Sequence, residues 1–375
     1  LGRAAGEGIA FGLWASSPGG GDSNVDPVVN VTAGIAINRD GEAMELPQDV
    51  SVRLIRAAPG DSGVTTTGIG FGDCAPAPSG TFTTGEGLYL LTVSPAQGTE
   101  GRAPMQTLGN ATIDRCGARW NVEGLQFRIV DLEQGDIAGS AKARNQVAYR
   151  CFGNPDAAFL ADPFGPPSTA GYGLIDELRV ANRLADCEVP LAVVGWSSTV
   201  GIRFVDNWSV RRRLIAPGIG STLGPLLDDR RAAEAQAMIL QFQDQLALLR
   251  DNSPAQTTAA TSIFDSLPAA GMLPIANVNG STGFDDRFFF AGLTTRGPFT
   301  IEGARAAMLM QLALSTPPML LSEKKLIWIY RVRENIQFGA TKPGKPYYLF
   351  ASGQLPYMGE PHYDVSHWSG SNFPI

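Results

Sequence analysis

Histidine is almost missing from this chain of 375 residues, which holds only His362 and His367. Acid–base and nucleophilic catalysis at neutral pH leans on that side chain, so the usual histidine-based sites have little to draw on. Cysteine is also sparse: Cys74, Cys116, Cys151 and Cys187 stand far apart with no C-x-x-C spacing. That pattern excludes an ordinary zinc site. It leaves buried free thiols as the expectation, and a Cys74–Cys116 disulfide as the alternative in an oxidising setting. Charged residues make up 17% of the chain, against roughly 25% in an average soluble domain. The net charge is −7, which argues against nucleic-acid binding, because phosphates are held by clustered Lys and Arg. No apolar run reaches the roughly 18 residues of a membrane span, so we expect a soluble chain without membrane insertion. Phosphate-cradling loops are missing as well. Gly68-Ile69-Gly70-Phe71-Gly72 lacks the G-x-G-x-x-G spacing, and neither a P-loop nor a G-x-S-x-G elbow occurs. No cofactor is implied.

What is present is apolar mass punctuated by breakers: 44% hydrophobic residues, 44 glycines and 26 prolines. Such a chain buries a core, and its length suggests two or three domains. Low charge also fits a surface covered by partners, since interface cores are depleted in charge. The chain runs into Gly6-Glu7-Gly8-Ile9-Ala10-Phe11-Gly12-Leu13 like a strand already under way, so we expect its native start to lie upstream.

The organisation reads as α+β in three parts: a β-rich domain over 1–137, a mainly helical segment over 138–252, and an α+β domain over 253–375. In the first part, Val28–Thr32 and Gly34–Asn38 lead to the turn Arg39-Asp40-Gly41-Glu42. An Asp-Gly pair beside β-branched runs is a hairpin signal. Val50–Ile55 alternates with period two. A Gly/Pro/Thr-rich excursion runs from Ala57 to Gly87, and strands are expected over Leu88–Val93, ended by Ser94-Pro95, and over Leu125–Val130. In the second part, Asp229–Arg250 is the clearest helix. Ala235, Ile239, Phe242, Leu246 and Leu249 share one stripe, with Gln241, Gln243, Asp244 and Gln245 opposite. That stripe suits either a helix packed on its own domain or a contact between subunits. In the third part, Ile301–Leu314 reads as a helix stopped by Pro317-Pro318, and Leu326–Val332 and Tyr347–Ala351 as strands, the first covered on both faces. The tail carries Tyr357, Tyr363, Trp368 and Phe373. These rings either fold back or latch onto a neighbouring subunit.

Candidate chemistry is thin. Gly60-Asp61-Ser62-Gly63 matches the serine loop of trypsin-like proteases, but both histidines lie far downstream of it, the reverse of that order. Two carboxylates brought together would suffice for a glycosidase, and Glu123, Asp176, Asp285, Asp286 and Glu334 are the candidates. Turn, cap or ion-pair roles explain each of them equally well. His362 and His367 flank Asp364 but have no third strong ligand nearby. Arg211-Arg212-Arg213 reads as a solvated or interface patch, with an anionic ligand as the lesser alternative.

Several phrases resemble bacterial proteins of phage tails and contractile injection systems. They are Gly6–Leu13, Val31–Ile37 running through Gly41 to Leu46-Pro47, Gly87–Val93, Glu123–Arg128, Tyr330–Asn335 and Phe350–Gly353. The resemblance implies a baseplate or tail-associated structural role and carries no catalytic signature. The expectation is therefore a non-enzymatic, oligomeric subunit whose partners are other subunits of an assembly. Its interface candidates are Ile239, Phe242, Leu246, Leu249, Tyr357, Tyr363, Trp368 and Phe373. A receptor- or glycan-binding protein at the tip of such an assembly, recognising a cell-surface glycan, is the first alternative. A carboxylate-based carbohydrate-active enzyme is the second.

Overall fold

The computed structural model describes residues 8–17, 28–54, 56–57, 80–81, 87–105, 115–152, 173–197, 199–213, 225–251, 258–275, 283–333 and 347–359. Helices and strands mix throughout, in an α+β arrangement. The chain divides into two compact units, Leu1–Gln241 and Phe242–Ile375.

The first unit opens with short strands: β1 (Ile9–Gly12), β2 (Ala15–Ser16), β3 (Val28–Val31), β4 (Gly34–Ile37), β5 (Ala43–Leu46) and β6 (Val50–Arg53). They form two antiparallel sheets, ordered β1-β4-β5 and β2-β3-β6. The β4–β5 hairpin turns where the Asp-Gly pair predicts. Gly41 takes φ 92° there, a conformation that costs glycine little, and the buried Asn38 braces the turn through both its amide groups to Glu42. Two-residue strands β7 (Arg56–Ala57) and β8 (Gly80–Thr81) pair next. The rest of the breaker-rich excursion lies outside the described residues.

A larger antiparallel sheet follows. Its strands are β9 (Gly87–Met105), β10 (Arg115–Asp131), β11 (Val189–Ser197) and β12 (Gly201–Asp206), in the order β10-β9-β11-β12. Alternate residues of a strand face opposite sides, and here both sides are covered. Leu91, Val93, Val189 and Leu191 meet Leu13, Val29, Val31, Met44 and Leu46 of the small sheets. Leu88, Leu90, Val130 and Val193 meet the helices α1 (Gly135–Ala138), α2 (Ala143–Phe152) and α3 (Leu174–Val180). This accounts for the unbroken apolar run of β9. Thr92 within that run donates to the buried Glu188 at 3.1 Å, and Glu188 also takes a two-pronged pair from Arg128 at 2.7 and 2.6 Å.

Two expectations are revised here. The stretch read as mainly helical contributes β11 and β12 alongside its helices. Because every residue of β11 is buried, it lacks the alternation that marks a half-exposed strand. The strand expected to end at Ser94-Pro95 instead continues to Met105. Proline is tolerated on an edge strand, and β11 pairs with β9 no further than Val93.

Helix α4 (Pro225–Asp251) spans the division between the units. In the second unit, α5 (Ala260–Ile263), β13 (Ser266–Leu267), β14 (Ala270–Pro274) and α6 (Asp286–Phe289) lead into β15 (Thr295–Ile301) and α7 (Gly303–Ala313). β16 (Met319–Leu320) pairs with β13, and β17 (Ile327–Val332) and β18 (Tyr347–Ser352) complete a sheet ordered β14-β18-β17-β15. β15 and β17 are parallel, with α7 as the crossover, while the other pairs are antiparallel. The core is a chain of phenylalanines. Phe242 meets Phe264 and Phe350 at 5.2 and 5.3 Å between ring centres, and Phe289 meets Phe284 and Phe290 at 5.3 and 5.0 Å. Most of these pairs are edge-to-face, the favoured aromatic geometry.

Candidate interaction surfaces

The longest strand pairing is that of β9 with β10. The strands stay in one register from Tyr89↔Asp131 out to Met105↔Arg115. Beyond Val93 no third strand pairs with either of them among the described residues. The outer part is thus a two-stranded ribbon, and its sequence includes Pro95, Gly98, Gly101, Pro104, Gly117 and Gly124. At the usual rise per residue it would span about 40 Å. A ribbon of two strands is at best marginally stable alone in water.

A second surface lies on the sheet of the second unit. Phe299 of β15 stands beside Tyr330 of β17 in register, and Tyr357 lies across Phe299 and Trp328 at 5.2 and 5.0 Å. Tyr357 is 45% exposed. Its segment is anchored by the Met358 N–H, which donates to Tyr330 Oη at 3.3 Å, and by Arg305 Nη1, which donates to the Met358 carbonyl at 3.2 Å. Burial raises the Tyr330 phenol above its ordinary value despite that hydrogen bond. Trp328 Nε1 is enclosed and has no hydrogen-bond partner among the described residues.

The third surface is the turn after β12. Asp206 is buried and accepts from Arg144 Nε at 2.7 Å, Gln241 Nε2 at 2.8 Å and the Ser209 N–H at 3.1 Å. The following residues carry the arginine triplet. Arg211 stacks on Trp14 at 4.2 Å and Arg213 on Trp208 at 4.7 Å, while the two indoles meet edge-on at 5.1 Å. Arg212 turns inward onto Phe152 at 5.0 Å and gives Nη1 to the carbonyls of Ser209 and Arg211. From sequence the triplet reads as a solvated or interface patch. In the structure only Arg213 is exposed, and Arg211 and Arg212 are 4% and 2% exposed. Three consecutive cations look solvent-facing in a sequence; indole and phenyl faces over their guanidinium planes allow two of them to sit inside.

The residues singled out from sequence fall in different places. Ile239, Phe242 and Leu246 are buried, and Leu249 packs against the phenylalanine core, so this stripe of α4 is occupied within the chain. The opposite side is not purely solvated either: Gln241 and Gln245 are buried, and Gln243 donates to the Met272 carbonyl at 2.7 Å. Tyr357 is the one tail aromatic that is described, and it lies back on its own sheet. Tyr363, Trp368 and Phe373 lie outside the described residues, as do His362, Asp364, His367, the Gly60–Gly63 loop and Glu334. Asp285 caps α6 by accepting from the N–H groups of Arg287 and Phe288 at 2.9 and 3.1 Å, a helix-capping role. Glu123 is exposed on β10, Asp176 is buried on α3, and Asp286 lies in the first turn of α6. Cys151 is buried and in no disulfide, whereas Cys187 is disulfide-bonded, which departs from the expectation of buried free thiols. No helix among the described residues is long and apolar enough to cross a membrane.

Comparison with protein-family models, with curated proteins and with solved structures returned no match.

Proposed function

We propose that the chain is a structural subunit of a large multi-protein assembly of the phage-tail or contractile-injection kind, acting through its surfaces. The observation that carries this reading is the β9–β10 ribbon. A two-stranded arm with a breaker-rich sequence gains little from its own chain and becomes stable when a neighbour covers its faces or pairs with its edges. The low charge and the exposed cross-strand pair Phe11 and Ile35, 55% and 44% exposed, agree with a surface meant to be covered. The test is native fractionation. Sedimentation of an extract, followed by electron microscopy with a label on this chain, should find it in particles far heavier than its own 39.7 kDa. Recovery of the native protein as a monomer alone would overturn the reading.

The cluster of Phe299, Trp328, Tyr330 and Tyr357 favours a second reading, glycan recognition at the tip of such an assembly. Aromatic faces with one exposed ring offer a stacking platform for sugars. Binding on a glycan array that is lost on Tyr357→Ala supports it; silence across a broad array removes it.

A further inference from the structure

We propose that Arg211 and Arg213 together form a binding site for one oxyanion of the phosphate or sulfate type, walled by the indoles of Trp14 and Trp208.

The case begins with unpaired donors. Arg211 gives Nη2 to the Gly12 carbonyl, while its Nε and Nη1 are enclosed and have no hydrogen-bond partner among the described residues. Neither Arg211 nor Arg213 forms an ion pair with a carboxylate among those residues. Asp206, the acid of this turn, accepts from Arg144, Gln241 and Ser209 instead. A buried guanidinium with idle N–H groups is costly, because the desolvation of those groups is not repaid by an acceptor among the described residues. A like charge adds to the cost. Burial first, and the like charge of the nearby Arg213 second, push Arg211 down to about 10, so Arg211 stays cationic at neutral pH against a repelling neighbour. An oxyanion at Arg211 supplies acceptors for its idle donors and offsets the like charge of Arg213. Arginine is suited to that task through its planar array of N–H groups.

Access follows from the same geometry. Trp14 lies over Arg211 and is 37% exposed, so its indole is the outer cover. Its backbone is tied at both ends to Thr32, by N–H to Oγ1 at 2.9 Å and by carbonyl to N–H at 3.1 Å. Rotation of the Trp14 side chain therefore leaves both of these backbone ties in place. The same stack provides the readout, since the indole that moves is fluorescent.

The experiment uses the full chain at constant ionic strength, titrated with inorganic phosphate against chloride, and follows tryptophan fluorescence and the thermal midpoint. Phosphate should give a saturable fluorescence change and a higher midpoint that chloride does not reproduce. Arg213→Gln, at an exposed position, leaves the fold intact and should weaken phosphate binding by roughly tenfold or more, the worth of a lost charge-assisted hydrogen bond. Trp14→Phe should remove most of the fluorescence change and keep the thermal shift. A phosphorylated monosaccharide run in parallel separates the sources: tighter binding than inorganic phosphate points to a carried phosphate, and equal binding to the free ion. Identical responses to phosphate and chloride in the native protein would overturn the proposal, as would an undiminished phosphate response in Arg213→Gln. Neither result bears on the assembly reading, which stands or falls on fractionation.

Discussion

Arg144 of α2 donates through Nε to Asp206 of β12 at 2.7 Å, with side-chain exposures of 7% and 0%. A buried ion pair of this kind is costly to half-remove, because the surviving charge loses a countercharge where little water reaches it. Asp206→Asn strips the countercharge from Arg144 and should destabilise the first unit by about 3–5 kcal/mol in a urea titration. Replacing both residues together, Arg144→Met with Asp206→Asn, whose amide oxygen still serves as an acceptor for Ser209 or Gln241, should cost clearly less than the single change. A double variant as unstable as Asp206→Asn would show that the pair contributes through packing and not through charge.

Gly271 of β14 is placed by the phenylalanine core. A Cβ there would lie 2.6 and 2.8 Å from Cζ and Cε1 of Phe350 and 3.1 Å from Cε1 of Phe242. Phe350 is fully buried and has no room to retreat, so Gly271→Ala should destabilise the second unit by about 1–3 kcal/mol, the usual range for overpacking. Gly271→Ala combined with Phe350→Leu, which opens space at the ring, should recover part of that loss in thermal denaturation.

The position of Arg211 gives a pH signature. Its folded value, about 10, lies below the ordinary value of an arginine. Between those two values the unfolded chain binds more protons than the folded one, so this group's contribution to stability rises with pH. Compared with Arg211→Met, the native protein should gain stability as pH climbs through about 10. A stability difference that stays flat or falls over that window would show that Arg211 is not held in a desolvated site.

The ribbon should be dispensable for folding and required for assembly. Replacing residues 96–124 with a tight two-residue turn between the paired Pro95 and Leu125 leaves intact the part of β9 that β11 pairs, which ends at Val93. Stability should then change by no more than about 0.5 kcal/mol, as for surface changes remote from the core, while the shortened chain drops out of native particles. Loss of folding on that replacement would assign the ribbon to the core instead.

Much of the local structure is written in the chain. The run Leu88–Val93 is apolar at successive positions because both its faces are covered. The four–three spacing of Ile239, Phe242, Leu246 and Leu249 is that of a helix face, and the Asp-Gly pair at Asp40-Gly41 marks a hairpin; each pattern is a direct image of backbone geometry. Other features depend on partners distant in sequence. β11 has no alternation to betray it because everything around it is protein. β9 outruns its expected end because Arg115–Gly124, more than a turn's length away along the chain, supplies its hydrogen bonds. The arginine triplet carries the clearest division. The sequence sets three adjacent cations after β12, and their charge alone places them in water. Only the fold brings Trp14 over Arg211 and Phe152 over Arg212, because the burial of a charge is decided by what arrives from elsewhere in the chain to cover it.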